Sequence, residues 1–234
     1  MEINKSKFVA FLEGIVLKGD RQNREAVLTV GDTRLACTIL SADSTTAIEA
    51  SLGGAFPVEK EEWGIDNLPF LLDVVKTFKG ETIEVEKVEN KLSLTQGKQK
   101  ALCILRDTQY INNTLLAEKL ATLRSEEKST FTLTAEIVKE IGAFLSSYKA
   151  KAIKVVGNGK ELSIYIENNE NSFEKTYDLE QKVVKFKASL GAPFVDIISS
   201  VKSDLIINPT GRALGATVKT DDMIINYFVA LMKE

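Results

Sequence analysis

The sequence predicts an α+β protein of two similar domains, each with two helices packed on antiparallel sheet. The first observation is a repeat. The stretch "LPFLLDVVKTFKGETIEVEKVENKLSLTQGKQKALCILR" (Leu68 to Arg106) shares its plan with "APFVDIISSVKSDLIINPTGRALGATVKTDDMIINYFVALMK" (Ala192 to Lys233). Each opens on Pro-Phe, runs into an apolar helical stripe and closes on three alternating strand-like runs. Pro193 follows Pro69 by 124 residues (193 less 69), close to half of 234, which points to a duplicated unit. The second observation is length: 234 residues suffice for two domains of roughly 110 residues with real cores. The third is composition, 44% hydrophobic and 27% charged with four prolines, ordinary for a globular chain.

Element by element, Phe8, Phe11, Leu12 and Ile15 lie at helical spacing after a cap at Asn4 or Ser6. "AVLTVGDTRLACTIL" reads as two strands joined around Gly31-Asp32, and short strands follow through "TTAIEASL" to "GAFPVEKEEW". Asp66 or Asn67 caps a second helix, whose stripe is Leu68, Leu71, Leu72, Val75 and Phe78. Pro69 fits its first turn, where N–H groups have no intrahelical partner. "ETIEVEKV", "KLSLTQ" and "QKALCILR" are strands separated by turns at Glu89-Asn90 and Gly97-Lys98. The polar-ended "DTQYINNTLLAEKLATLRSEEKS" reads as a linker holding Leu115, Leu116, Leu120 and Leu123. Beyond it, Thr134 caps a helix with Ile137, Ile141, Phe144, Leu145 and Tyr148 on one face. Asn158-Gly159 turns a hairpin. "SFEKTYDLE" and "VVKFKASL" add strands before the last helix, striped by Phe194, Ile197, Ile198 and Val201. The expected division is 1–110, a connector 111–129, and 130–234.

Several function classes lose ground at once. The chain has no histidine, which removes the commonest general base and zinc ligand. Asp221-Asp222 and Asp66 are better explained as turn and cap residues than as metal ligands, so no catalytic residue, metal site or cofactor is expected. Cys37 and Cys103 sit in apolar runs as reduced core thiols. No run approaches the roughly 18 apolar residues of a membrane helix and no signal peptide stands at the start, so the glycosylation triplets at Asn4 and Asn112 carry no weight. A cytoplasmic protein is expected.

The net charge is −3, yet charge is segregated. Lysines gather on the predicted helices and their ends: Lys5, Lys7, Lys18, Lys76, Lys79, Lys139, Lys149, Lys151 and Lys202. Acids concentrate in "VEKEEW", "IEVEKVEN", "YIENNENS" and "RSEEK". Exposed lysines also serve solubility alone, so the pattern by itself keeps DNA in view without selecting it.

The order of elements resembles the two-domain DNA polymerase sliding clamps, and most closely the T-even-phage type; it is similar to proliferating cell nuclear antigen. The residues that carry this are "LTAEIVKEIGAFLSSYKAKAIKVVGNGKELSIYI", the two Pro-Phe helices with their strands, and the terminal "NYFVALMKE". The resemblance covers nearly the whole chain and implies the DNA clamp fold and a closed homotrimeric ring, with helices lining the hole. It implies a non-enzymatic processivity factor for a DNA polymerase, loaded on duplex DNA by a separate ATP-driven clamp loader, in a host cell's cytoplasm if phage-encoded. The chain carries no GxxxxGK[ST] loop of its own. By this resemblance the nine lysines face DNA. "KALCILRD" (Lys100 to Asp107) and "FEKTYDLE" (Phe173 to Glu180) pair between subunits, with Leu102, Ile104, Thr176 and Tyr177 at the joint. A client-peptide pocket is implied at Leu40, Ser41, Leu115, Leu116, Met223, Phe228, Ala230 and Leu231. The competing expectations are a non-ring polymerase accessory factor of the same fold and a β-rich virion or scaffold protein.

Overall fold

The structure is a computed structural model. It describes every residue except 18–23, 42, 55, 57–59, 112–115, 126–128, 169–170 and 233–234, and beyond these except the side chains of 116, 117, 119 and 125. Two compact units emerge. The first comprises Met1–Leu116 with Thr220–Ile225, the second Ala117–Lys219 with Asn226–Glu234.

In the first unit, β1 (Glu2–Asn4) leads into α1 (Lys5–Val16), which Asn4 caps by accepting from the Lys7 amide at 3.1 Å. Strands β2 (Ala26–Gly31), β3 (Arg34–Leu40), β4 (Thr46–Gly53) and β5 (Glu61–Ile65) follow, then α2 (Leu68–Thr77), capped by Asn67 at 3.1 Å from the Phe70 amide. β6 (Thr82–Val88), β7 (Lys91–Gln96) and β8 (Gln99–Ile104) complete it. The strands form antiparallel runs in the order β5-β2-β3-β4 and β1-β6-β7-β8. Phe8, Phe11, Leu12 and Ile15 of α1 and Leu68 and Val75 of α2 are completely buried, each worth about 2 kcal/mol by removal from water. Phe78 is buried too, as the extended residue that ends α2.

In the second unit, β9 (Phe131–Leu133) precedes α4 (Ala135–Ser147), and α5 (Ala192–Ser200) precedes β12 (Leu205–Pro209), β13 (Ala213–Lys219) and β14 (Met223–Ala230), whose first three residues are counted with the first unit. Between the helices run two long stretches, β10 (Ile153–Glu167) and β11 (Ser172–Leu190). Neither is one straight strand. Lys154 Nζ lies 5.3 Å from the centre of the Tyr165 ring, whereas eleven extended residues span about 36 Å. The chain therefore doubles back at Asn158-Gly159, where Gly159 takes φ 67° at no steric cost. Its arms find separate partners: Ile153 pairs with Leu190, and Glu161 with Asp178. The first unit pairs likewise, Ala26 with Ile65 and Arg34 with Gly53, so the duplication extends to strand pairing.

Three expectations need correction. The connector is not merely a linker: a 3₁₀ turn at Thr108–Tyr110 is followed by α3 (Leu116–Ser125), on which Leu120 is buried. The three-residue strands β1 and β9 escaped the sequence reading, because three residues are too few to display a period. And α4 is rotated relative to the stripe read from sequence. It buries Val138, Ile141 and Leu145, while half-exposed Phe144 stacks on Phe173 with ring centres 3.9 Å apart. A neighbouring aromatic on β11 outweighs the helix's own periodicity.

Candidate nucleic-acid interface

The predicted lysines divide sharply by environment. In the first unit, Lys5 is half-buried and its Nζ donates to the carbonyl of Phe78, placing a cation on the C-terminal end of α2, where the helix dipole is negative. That is a structural role. Lys7 is exposed but ion-paired with Asp222, and Lys76 is bridged at 2.9 Å to Glu13 of α1. Such exposed pairs add little stability, but each cancels a charge a phosphate could use. Lys79 is exposed beyond α2, where its backbone amide donates to Gln96 Oε1 at 3.0 Å. Lys18 lies outside the described residues. Nothing local in the sequence announces Glu13 or Asp222 as partners, since one sits on another helix and the other is 215 residues from Lys7.

The second unit is different: Lys139 projects from α4, Lys149 and Lys151 flank its C-terminal end, and Lys202 follows α5, all exposed. The geometry at Lys149 is specific. The amide of Ala150 donates to the Leu145 carbonyl at 2.9 Å and that of Lys149 to Ser146 at 3.1 Å, the bond pair of a Schellman cap. Its left-handed position, φ 48°, ordinarily belongs to glycine and costs an L residue about 1 kcal/mol. A lysine held there at that cost, beside Ser147, Lys151 and Asn168 around an open hollow, presents its charge from a fixed backbone.

Among the sheet edges of the described residues, the two expected to join copies are open. β8 ends the run β1-β6-β7-β8. The Leu105 amide donates to the Asn90 carbonyl at 2.8 Å, so by the alternation of antiparallel ladders Lys100, Leu102 and Ile104 direct their amides away from β7. Leu102 and Ile104 also expose their side chains, by 51% and 68%. In the second unit, the Asn168 amide bonds the Asn171 carbonyl at 2.9 Å, and the same alternation turns the amides of Glu174, Thr176 and Asp178 away from β10. Thr176 is exposed, its hydroxyl 2.8 Å from that of Ser163. Tyr177 departs from expectation. Strand alternation puts Phe173, Lys175 and Tyr177 on the side of α4, so Tyr177 is buried there rather than offered at the edge. Lys175 pairs with Glu140 of α4 and lies 5.0 Å from the Tyr177 ring centre. Burial foremost, then the charge of Glu140, pushes the Tyr177 hydroxyl up to about 12.

The remaining expected residues are placed singly. Ser41 is buried, its hydroxyl donating to Asp43 Oδ1 at 2.7 Å and accepting from the Thr46 amide at 2.9 Å; Leu40 beside it is half-buried. Met223 is half-buried, Phe228 buried, Ala230 exposed, and Leu231 half-buried with its amide on the Arg212 carbonyl at 3.1 Å. Leu115 and the side chain of Leu116 lie outside the described residues. Both thiols are buried; burial raises Cys103 and pushes Cys37 up to about 12. Among the described residues no cluster of metal-ligating side chains occurs, and no helix is long and apolar enough to cross a membrane.

No protein-family model and no curated protein matches the sequence. Solved structures do resemble the fold along its length. Proliferating Cellular Nuclear Antigen from Entamoeba histolytica is 13% identical, with 97% of this chain and 94% of that chain covered at a TM-score of 0.76. A. fulgidus PCNA, solved with the C-terminal region of FEN-1 bound, is 12% identical over 100% of this chain and 98% of that one, with a TM-score of 0.80. The beta subunit from DNA polymerase of Streptococcus pyogenes is 14% identical at a TM-score of 0.72; all of this chain aligns, spanning 64% of that one. At such identities the likeness is one of fold, and the fold of this chain is that of the DNA clamps.

Proposed function

We propose that the chain is a sliding clamp: three copies close a ring around duplex DNA and tether a DNA polymerase, with a separate ATP-driven loader opening the ring. The observation that carries this reading is the open strand edge in each unit of a chain with the clamp fold. Unpaired edges are an aggregation hazard, and joining β8 of one copy to the 172–178 arm of the next removes both. Lysines on the helices attract phosphate without reading sequence, so the ring holds DNA without a fixed register. The division into two clamp domains and a connector, the kinship with the T-even-phage type, and client-peptide anchoring at Ala230 and Leu231 belong to the same reading. The chain itself performs no chemical step.

Two measurements test it. Native mass spectrometry is expected to show a species of three chains, and the loaded protein is expected to stay on nicked circular duplex and leave when the circle is cut. A monomer that binds both DNA forms equally would favour a non-ring accessory factor; a large open assembly would favour a scaffold.

Lys149→Gly separates the electrostatic part from the structural part. Relief of the left-handed backbone is expected to stabilise the second unit by about 1 kcal/mol. Loss of the cation is expected to weaken DNA retention and flatten its salt dependence by about one unit of log–log slope. Retention unchanged in the stabilised variant would remove Lys149 from the DNA-facing set.

A further inference from the structure

We propose that the two open edges recognise each other by charge, so that copies of this chain join head-to-tail and like edges repel. The inference rests on the joint described under the proposed function and adds what selects it. Around the β8 edge the exposed charges are basic: Lys100 on the strand, Lys98 in the turn before it, and Lys91, which stands opposite Ile104 on β7. Leu102 and Ile104 lie between them. Glu84 and Glu86 share this face of the sheet but sit on β6, two strands in from the edge.

The 172–178 arm is the reverse. Its exposed face carries Glu174 and Asp178, with Glu180 just beyond; Glu161 stands opposite Asp178, and Glu167 opposite Ser172. The one lysine within the arm, Lys175, points to the other face and is engaged with Glu140. None of these edge carboxylates or β8-side lysines is ion-paired among the described residues. The β8 side therefore carries a surplus of basic charge and the arm a surplus of acidic charge, with Asp107 beyond the one and Lys182 beyond the other as exposed charges of the opposite sign, and both rows of free amides sit beside them.

This geometry discriminates between pairings. Two arms brought together would oppose carboxylates with carboxylates, and two β8 edges would oppose lysines with lysines; like charges directly across a ladder are destabilising. Pairing β8 with the arm satisfies both. An antiparallel register with Ile104 opposite Thr176 brings Leu102 against Asp178 and Lys100 against Glu180, since both strands advance by twos along one face. The bridge from the Arg106 amide to the Gly64 carbonyl, 2.8 Å, closes the β8 edge beyond Ile104 and limits how far a register can slide. A joint selected this way excludes the isologous dimer, which would pair an edge with itself, and permits only a heterologous chain that closes or extends.

Charge reversal tests this. Lys98→Glu with Lys100→Glu, and separately Asp178→Lys with Glu180→Lys, are each expected to raise the dissociation constant of assembly at least about a hundredfold in sedimentation equilibrium. All four substitutions in one chain restore complementarity with the signs exchanged and are expected to restore assembly. Wild-type assembly is expected to weaken between about 0.05 M and about 0.5 M salt. If either reversed pair assembles as wild type, charge does not select the joint, although the joint itself stands. If the fourfold variant stays monomeric while its thermal unfolding matches wild type, the two edges do not face each other. If the wild-type chain is monomeric at both salts, the joint proposed above fails, and this inference fails with it.

Discussion

Thr176→Pro and Ile104→Pro are each expected to yield a folded monomer that no longer stays on circular DNA. Both residues point their amides away from the neighbouring strand, so proline removes no backbone hydrogen bond within the chain, and Thr176→Pro gives up only the exposed hydroxyl contact with Ser163. It removes a donor to the next copy, and its ring occupies the space that copy's strand would use. A carbonyl left unsatisfied in a closed joint costs about 1–3 kcal/mol, a factor of roughly ten to a hundred per joint. A ring meets that cost at every joint. Sedimentation velocity reads the mass, and thermal unfolding should shift by no more than a few degrees. Valine at either position keeps the donor and should keep the assembly. A proline variant that still sediments as three chains would place the joint elsewhere.

Gly64→Ala is expected to be the most damaging single-methyl change in the first unit. A Cβ at this position would sit 2.1 Å from the Arg106 carbonyl oxygen and 3.2 Å from Ile111 Cδ1. The first contact is with backbone, which cannot rotate aside, and the site is fixed from both directions: Gly64 belongs to β5, paired with β2, and its carbonyl accepts from the Arg106 amide. Overpacking against such a neighbour costs about 3 kcal/mol, or roughly 6–12 °C in melting temperature for a chain of this size. The chain after Ile104 must move, so the β8 edge loses its fixed end. Melting should fall and assembly weaken together; an unchanged melting temperature would mean that β5 and the 105–107 segment separate easily in solution.

The helices were legible because each has an apolar stripe and a local cap. Asn4, Asn67 and Thr134 accept from amides three residues on, and such bonds can be read from neighbouring letters. The hairpin at Asn158-Gly159 was legible for the same reason: the dipeptide states its own backbone preference. What escaped was set by contacts distant along the chain. The face of α4 is decided by Phe173, and the side of Tyr177 by the helix above it. Lys7 and Lys76 look like free cations until Asp222 and Glu13 appear beside them. Lys5 looked like surface charge, yet it reaches the carbonyl of Phe78, a sequence separation of 73 that folding must close first. The edges were nominated from their place in the repeat, but the opposite signs of their charges emerge only once alternation assigns each side chain to a face.

The segment Thr220–Ile225 belongs to the first unit although it lies near the end of the chain. The Asp222 carbonyl accepts from the Gly53 amide at 2.6 Å, and its carboxylate engages Lys7. Synthesis proceeds from the N-terminus at about 5–20 residues per second, and domains ordinarily fold as they emerge. Here the first unit must wait: its α1 and β4 are made roughly ten seconds or more before the residues that complete them. During that interval Gly53 and Lys7 stand without their final partners. A ribosome stalled ahead of residue 220 would therefore hold an N-terminal half that is unfinished rather than native, open to proteolysis at the place where the last strand should arrive.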